Sequence, residues 1–170
     1  RAREVTRSKG YENLDFIRSA DDMVILVHWH PKEDWILQKV QKRHKEELDK
    51  LEVEMNLEKT KVVDLKKGGS FSFLGFDFRL TRNREGKAYV SKTPREKKCI
   101  EIGKRVRAVL KANWNKPRKE VIQAVNATIR GWVNYFRIGN SNSAFNKVRD
   151  YLEMKVRKFV LRRKKLKGFG

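Results

Sequence analysis

Two apolar runs flank a pair of carboxylates near the start of the chain. Phe16 and Ile17 lead toward Asp21-Asp22, and Met23, Val24, Ile25, Leu26 and Val27 follow. This pattern predicts a strand, a tight turn holding both Asp residues, and a second strand. Asp disfavours strand interiors but tolerates the backbone angles of turns, which puts the pair at the hairpin tip. His28-Trp29-His30-Pro31 closes the hairpin, and Pro31 sits where a helix can begin. Residues 32–54 then read as a long amphipathic helix, with Ile36, Val40, Leu48, Leu51 and Met55 spaced at or near four. Its other face, crowded with Lys and Glu, reads as solvated surface.

The pattern then turns β-like. Lys61 to Leu65 predicts a strand and Gly68-Gly69 a turn. Phe71, Phe73, Phe76 and Phe78 alternate with small or polar residues, and the phase shifts at Leu74-Gly75, which predicts a bulge or a close backbone approach. Asn83 to Gly86 leads into a last strand, Lys87 to Lys92. At Thr93-Pro94 the period changes from two to 3.6, the sharpest boundary in the sequence and the expected hinge. Three helices follow. The first, about 95–111, carries Cys99, Ile102, Val106 and Val109 along one stripe. Asn115 can cap the second, with Pro117 in its first turn and Val121, Val125, Ile129, Trp132, Val133 and Phe136 facing inward. Gly139 to Ser143 breaks that helix and caps the third, whose apolar face is Phe145, Val148, Leu152, Val156, Phe159 and Val160.

Charge sharpens the division. The 170 residues carry a net +21, yet residues 1–92 contribute only +4, and residues 93–170 hold 22 Lys and Arg against 5 Asp and Glu, a net +17. A half so basic faces a polyanion, and nucleic acid fits best. No apolar run approaches the roughly 20 residues of a membrane span. A single cysteine, Cys99, excludes an internal disulfide and a cysteine-based zinc cluster, and reads as a half-buried helical thiol. His28 and His30 lack a third metal ligand nearby and read as structural. Asp21-Asp22 reads either as a solvated turn or as a site where a divalent cation converts repulsion into coordination.

The boxes in chain order decide between these. Ser19-Ala20-Asp21-Asp22, Leu57-Glu58-Lys59-Thr60-Lys61, Phe73-Leu74-Gly75-Phe76 and Ile129-Arg130-Gly131-Trp132-Val133-Asn134-Tyr135-Phe136 follow one another at plausible spacings. From about residue 13 onward the sequence resembles the C-terminal half of a group II intron-encoded reverse transcriptase, or maturase. In that family the first box reads Tyr-Ala-Asp-Asp, the second is the next polymerase motif, the third is the primer-grip hairpin, and the fourth is the signature of the thumb, or maturase-specific, domain. The resemblance implies an α+β fold: a partial polymerase palm of antiparallel hairpins plus a helix at 1–92, then a three-helix thumb at 94–170. It also implies RNA-directed DNA synthesis with Mg²⁺, or Mn²⁺ as a substitute, in a cytoplasmic protein. The implied partners are structured intron RNA, an RNA template–DNA primer duplex and dNTPs.

Roles follow from the same resemblance. Asp21 is the principal metal ligand and Asp22 shapes the field or contacts metal less directly, since two ions about 4 Å apart activate the 3′-hydroxyl and neutralise the leaving pyrophosphate. Lys59 is similar to a lysine that assists the leaving pyrophosphate; the plainer alternative is a solvated strand-entry lysine. Phe73, Leu74, Gly75 and Phe76 are expected to meet a primer strand, with glycine permitting close approach and aromatic faces stacking. Some of these rings are also expected to pack inward, on the opposite face. Trp132 and Phe136 read as core. Arg130 and Arg137, seven apart on one helical face, can meet successive phosphates, with Lys98, Arg105, Lys111, Arg149, Arg157 and Arg162 extending the surface. Two departures from the family stand out: Ser19 replaces Tyr, and the fingers and the earlier palm carboxylate are absent. The chain is therefore expected to be part of a longer protein and inactive as a polymerase alone. The rival readings are a splicing maturase without polymerase activity and a ribosomal or chromatin-like basic protein.

Overall fold

The computed structural model describes residues 14–20, 22–27, 34–52, 56 and 60–167, with side chains at 34 and 165–167 excepted. It is α+β, and its contacts divide the chain into two compact units between Val63 and Asp64.

The first unit holds the acidic hairpin. Strand β1 (Leu14–Ser19) pairs antiparallel with β2 (Asp22–Val27), in register from Leu14 opposite Val27 to Ser19 opposite Asp22. Only residues 20 and 21 connect them, and Ala20 takes φ +50°. Asp22 thus opens the second strand and does not sit in the turn. Helix α1 (Asp34–Lys50) lies within the expected 32–54 span, and its exposed face carries Arg43 and Lys50, each 3.2 Å from the Glu47 carboxylate. The expected helix start at Pro31, the His28 and His30 side chains, and Met55 lie outside the described residues.

The second unit begins where a strand was expected and none forms. Residues 60–64 are irregular, and the Asp64 carboxylate accepts the N–H groups of Lys66 at 2.8 Å and Lys67 at 3.3 Å. A short acceptor that binds its own downstream backbone offers those amides an alternative to a sheet ladder. Three antiparallel strands follow in simple order: β3 (Ser70–Phe73), β4 (Phe76–Arg82) and β5 (Ala88–Pro94). The phase shift at Leu74-Gly75 is a two-residue hairpin turn and not a bulge. Both residues are left-handed, at φ +50° and +78°, which suits the twist of the flanking strands. Because the turn is so short, Phe73 pairs with Phe76 and Phe71 with Phe78, and all four rings share one face of the sheet.

Helices α2 (Glu96–Ala112), α3 (Arg118–Phe136) and α4 (Asn142–Lys167) complete the unit. Their expected stripes meet in one core of Ile102, Val106, Leu110, Val121, Val125, Val148, Leu152 and Phe159. At Gly103 an added Cβ would lie 2.9 Å from the Tyr151 ring, so α2 and α4 approach closely there. The expected Asn115 cap does not form: Pro117 holds the N-cap position, with no side-chain cap. Ser141 instead closes the end of α3, its buried hydroxyl donating to the Phe136 carbonyl at 2.6 Å.

The β-meander belongs to this helical unit. Phe76 packs 4.9 Å from Phe136 and 5.7 Å from Tyr135. Asn140 brackets Lys92, its N–H donating to the Lys92 carbonyl at 2.6 Å while its side-chain oxygen accepts the Lys92 N–H at 3.0 Å. The Arg95 N–H donates to the Gly75 carbonyl at 3.0 Å. The compact units therefore part at 63/64, whereas the expected hinge lay at Thr93-Pro94. A change of period there marks a change of secondary structure inside one packed body.

Candidate nucleic-acid interface

The acidic hairpin presents Asp22 exposed at the start of β2. Asp21 and Lys59 lie outside the described residues. Among the described residues no group of three or more His, Cys, Asp or Glu side chains converges on one point. Phe16, Ile17 and Leu26 on the two strands remain 47%, 44% and 37% exposed, so this hairpin buries neither face well within its own unit.

On the second unit, the hairpin box separates into two kinds of residue. Phe73 and Phe76 are buried, and the faces of Phe76 are occupied by Phe78, Tyr135 and Phe136. The expectation that these two rings meet a nucleic-acid strand does not hold, because cross-strand pairing turns them to the packed face. Leu74 remains exposed at the tip, and Gly75 lies under the aliphatic stem of Lys98, whose Cγ is 3.6 Å from where a Cβ would stand. The hydroxyl of Tyr135 donates to the Leu74 carbonyl at 2.8 Å. No local signal links residues 61 apart, so the sequence could not disclose this contact.

The cations also divide. Lys98, Arg149 and Arg157 pair with Glu101 at 2.9 Å, Asp150 at 3.3 Å and Glu153 at 3.7 Å. The Lys98 ammonium, donating to Glu101, holds that carboxyl below its usual range. Arg105, Lys111, Arg130, Arg137 and Arg162 are exposed and make no ion pair among the described residues. Arg130 and Arg137 sit two turns apart on α3 and its C-cap, as their spacing requires. Lys97, Lys104 and Lys111, all exposed, recur every seven residues along α2. That stripe was present in the spacing, but only Lys111 of the three stood out in the sequence. Arg163 is a brace: it donates to the Lys116 carbonyl at 2.8 Å and lies over the Phe159 ring.

Trp132 and Phe136 are core, as expected. Trp132 packs against Phe136 at 5.0 Å and Phe145 at 5.4 Å, and its buried indole N–H meets no acceptor among the described residues. Burial, reinforced by the Glu96 carboxylate, pushes the Cys99 thiol above its ordinary value, which favours the protonated form. Among the described residues no helix is long and apolar enough to cross a membrane.

The three-helix body thus presents to solvent exposed cations that make no ion pair among the described residues, while its aromatics are mostly committed to the core. Residues 101–169 match the family model of the group II intron, maturase-specific domain. Over those residues the helical segment is similar to that family. No curated protein matches the chain.

Proposed function

We propose that the chain is the C-terminal part of a group II intron reverse transcriptase–maturase, and that its helical unit holds structured intron RNA chiefly through phosphates. The observation that carries this reading is the row of exposed, unpaired cations on a segment that matches the maturase-specific domain. Each phosphate neutralised releases condensed counterions, so affinity falls steeply with salt; about six contacts give a log–log slope near −5 on a duplex. Titration of the chain with intron RNA across a salt series tests this. A slope near zero would remove it.

In the fuller form of this reading, the whole protein also copies RNA into DNA, binding an RNA template–DNA primer duplex and dNTPs. Asp21 and Asp22 then contribute oxygen ligands to a Mg²⁺ site completed by a carboxylate from elsewhere in the same protein, beside its fingers. The second reading, an RNA-binding splicing maturase without polymerase activity, is favoured by Ser19, which pairs with Asp22 where the family carries Tyr. Primer extension on an RNA template by the longer protein separates them. Absence of extension, even with Ser19→Tyr, leaves the splicing reading alone. The ribosomal or chromatin-like alternative has no use for the match at 101–169.

A further inference from the structure

We propose that Tyr135 is a positioning residue: it pins the exposed Leu74-Gly75 tip in a left-handed turn, so that hairpin and helices meet nucleic acid as one surface. This inference rests on the proposed nucleic-acid binding.

The argument begins with Leu74. Leucine at φ +50° places its Cβ against its own carbonyl, a conformation that only glycine, asparagine and aspartate adopt readily. Such a residue persists when its surroundings over-determine it. Its side chain does not explain the choice through burial, being 43% exposed at the tip of a hairpin. Three contacts hold the tip instead. The Tyr135 hydroxyl donates to the Leu74 carbonyl, the Arg95 N–H donates to the Gly75 carbonyl, and Phe136 and Lys98 leave no more than van der Waals room over Gly75. The ring of Tyr135 stacks on Phe76 at 26°, which fixes its direction, yet the residue remains 50% exposed.

What the pinned tip offers is specific. A half-exposed leucine and the half-exposed tyrosine that bonds it stand at the tip, and the stem of Lys98 lies over the adjoining Gly75. Apolar contact for a base or sugar next to a cation for its phosphate is the arrangement that grips a nucleic-acid strand without reading its sequence. A free turn would spend part of its time in other conformations, and the apparent affinity falls by the fraction of time lost.

The test uses the full chain with a short RNA–DNA duplex as the probe, read by fluorescence anisotropy, together with hydrogen exchange of the hairpin amides. Tyr135→Phe keeps the ring and removes the donor. It should weaken duplex binding roughly fivefold, the order expected for one hydrogen bond, and speed exchange at residues 71–78 while the melting temperature stays nearly unchanged. Adding Leu74→Asn supplies a residue that favours this turn with glycine after it, and should restore the exchange protection. Unchanged binding or unchanged exchange in Tyr135→Phe overturns the inference and leaves phosphate binding standing. Exchange that stays fast when Leu74→Asn is added also overturns it, because a turn-favouring residue should then hold the tip without the hydroxyl. If the unaltered chain binds neither duplex nor RNA, the proposed function fails, and this inference fails with it.

Discussion

Replacing Arg130 and Arg137 together by Ala tests the phosphate-binding face most directly. Both side chains are exposed on one side of α3 and its cap, and neither makes an ion pair among the described residues. Each is therefore free to neutralise a phosphate at little cost, and its loss should not disturb the core of Val121, Val125 and Phe136 on the opposite side. Each contact contributes about 0.9 to the log–log salt slope on a duplex and about 0.7 on a single strand. The double variant should thus flatten the slope by roughly 1.8 or 1.4. Between 50 and 200 mM salt the unaltered chain would then lose about tenfold more duplex affinity than the variant. Arg149→Ala with Arg157→Ala is the informative control, because those guanidiniums sit 3.3 Å from Asp150 and 3.7 Å from Glu153. They must leave an exposed pair, worth about 0.2–1 kcal/mol, before meeting a phosphate, so their slope change should stay below about one. Filter binding or anisotropy across five salt concentrations measures both, with thermal melting as the check on folding. An unchanged slope in the Arg130/Arg137 variant, with a large change in the control, would refute the assignment and move the binding face to α4.

Three further outcomes follow from packing and burial. Gly139→Ala should destabilise the chain by about 1–3 kcal/mol in denaturant melts, since the new Cβ would stand 2.5 Å from the Lys92 carbonyl; Gly131→Ala, with nothing within 4 Å, should instead stabilise it by about 0.5–1 kcal/mol. A destabilised Gly131→Ala would show that the space beside α3 is filled. Phe76→Ala should cost about 3–5 kcal/mol, because the ring is 4% exposed at the centre of the seam between meander and helices; a loss below about 1 kcal/mol would mean the meander is not packed there. Cys99 should react with iodoacetamide more slowly than a free thiol at mildly alkaline pH, as burial and Glu96 hold it protonated, and should reach the free-thiol rate on unfolding. Equal rates in the two states would contradict that burial.

The three helices were legible because their apolar spacing is local information. Ile102 and Val106, Val121 and Val125, and Val148 and Leu152 each mark one face by recurring every four residues, and those faces became the core. The exposed positions of Arg130 and Arg137 were legible for the same reason, as the complement of a buried stripe. The acidic hairpin was legible from two apolar runs around a turn, though pairing set Asp22 in the strand.

Other features depended on partners distant in sequence. Lys61 to Leu65 carries a strand's composition, yet Asp64 captures the following amides and no ladder forms. Alternation in the 71–78 box shows that its phenylalanines are patterned, but only the two-residue turn decides that all four share a face, and only Phe136 and Tyr135 decide that this face is covered. The pinning of Leu74 by Tyr135 and the bracketing of Lys92 by Asn140 join residues 61 and 48 apart. Period and charge along a chain record which way each residue faces its own element. Which element lies opposite is settled by long-range packing, and here it binds the hairpin to the helices across the sharpest boundary in the sequence.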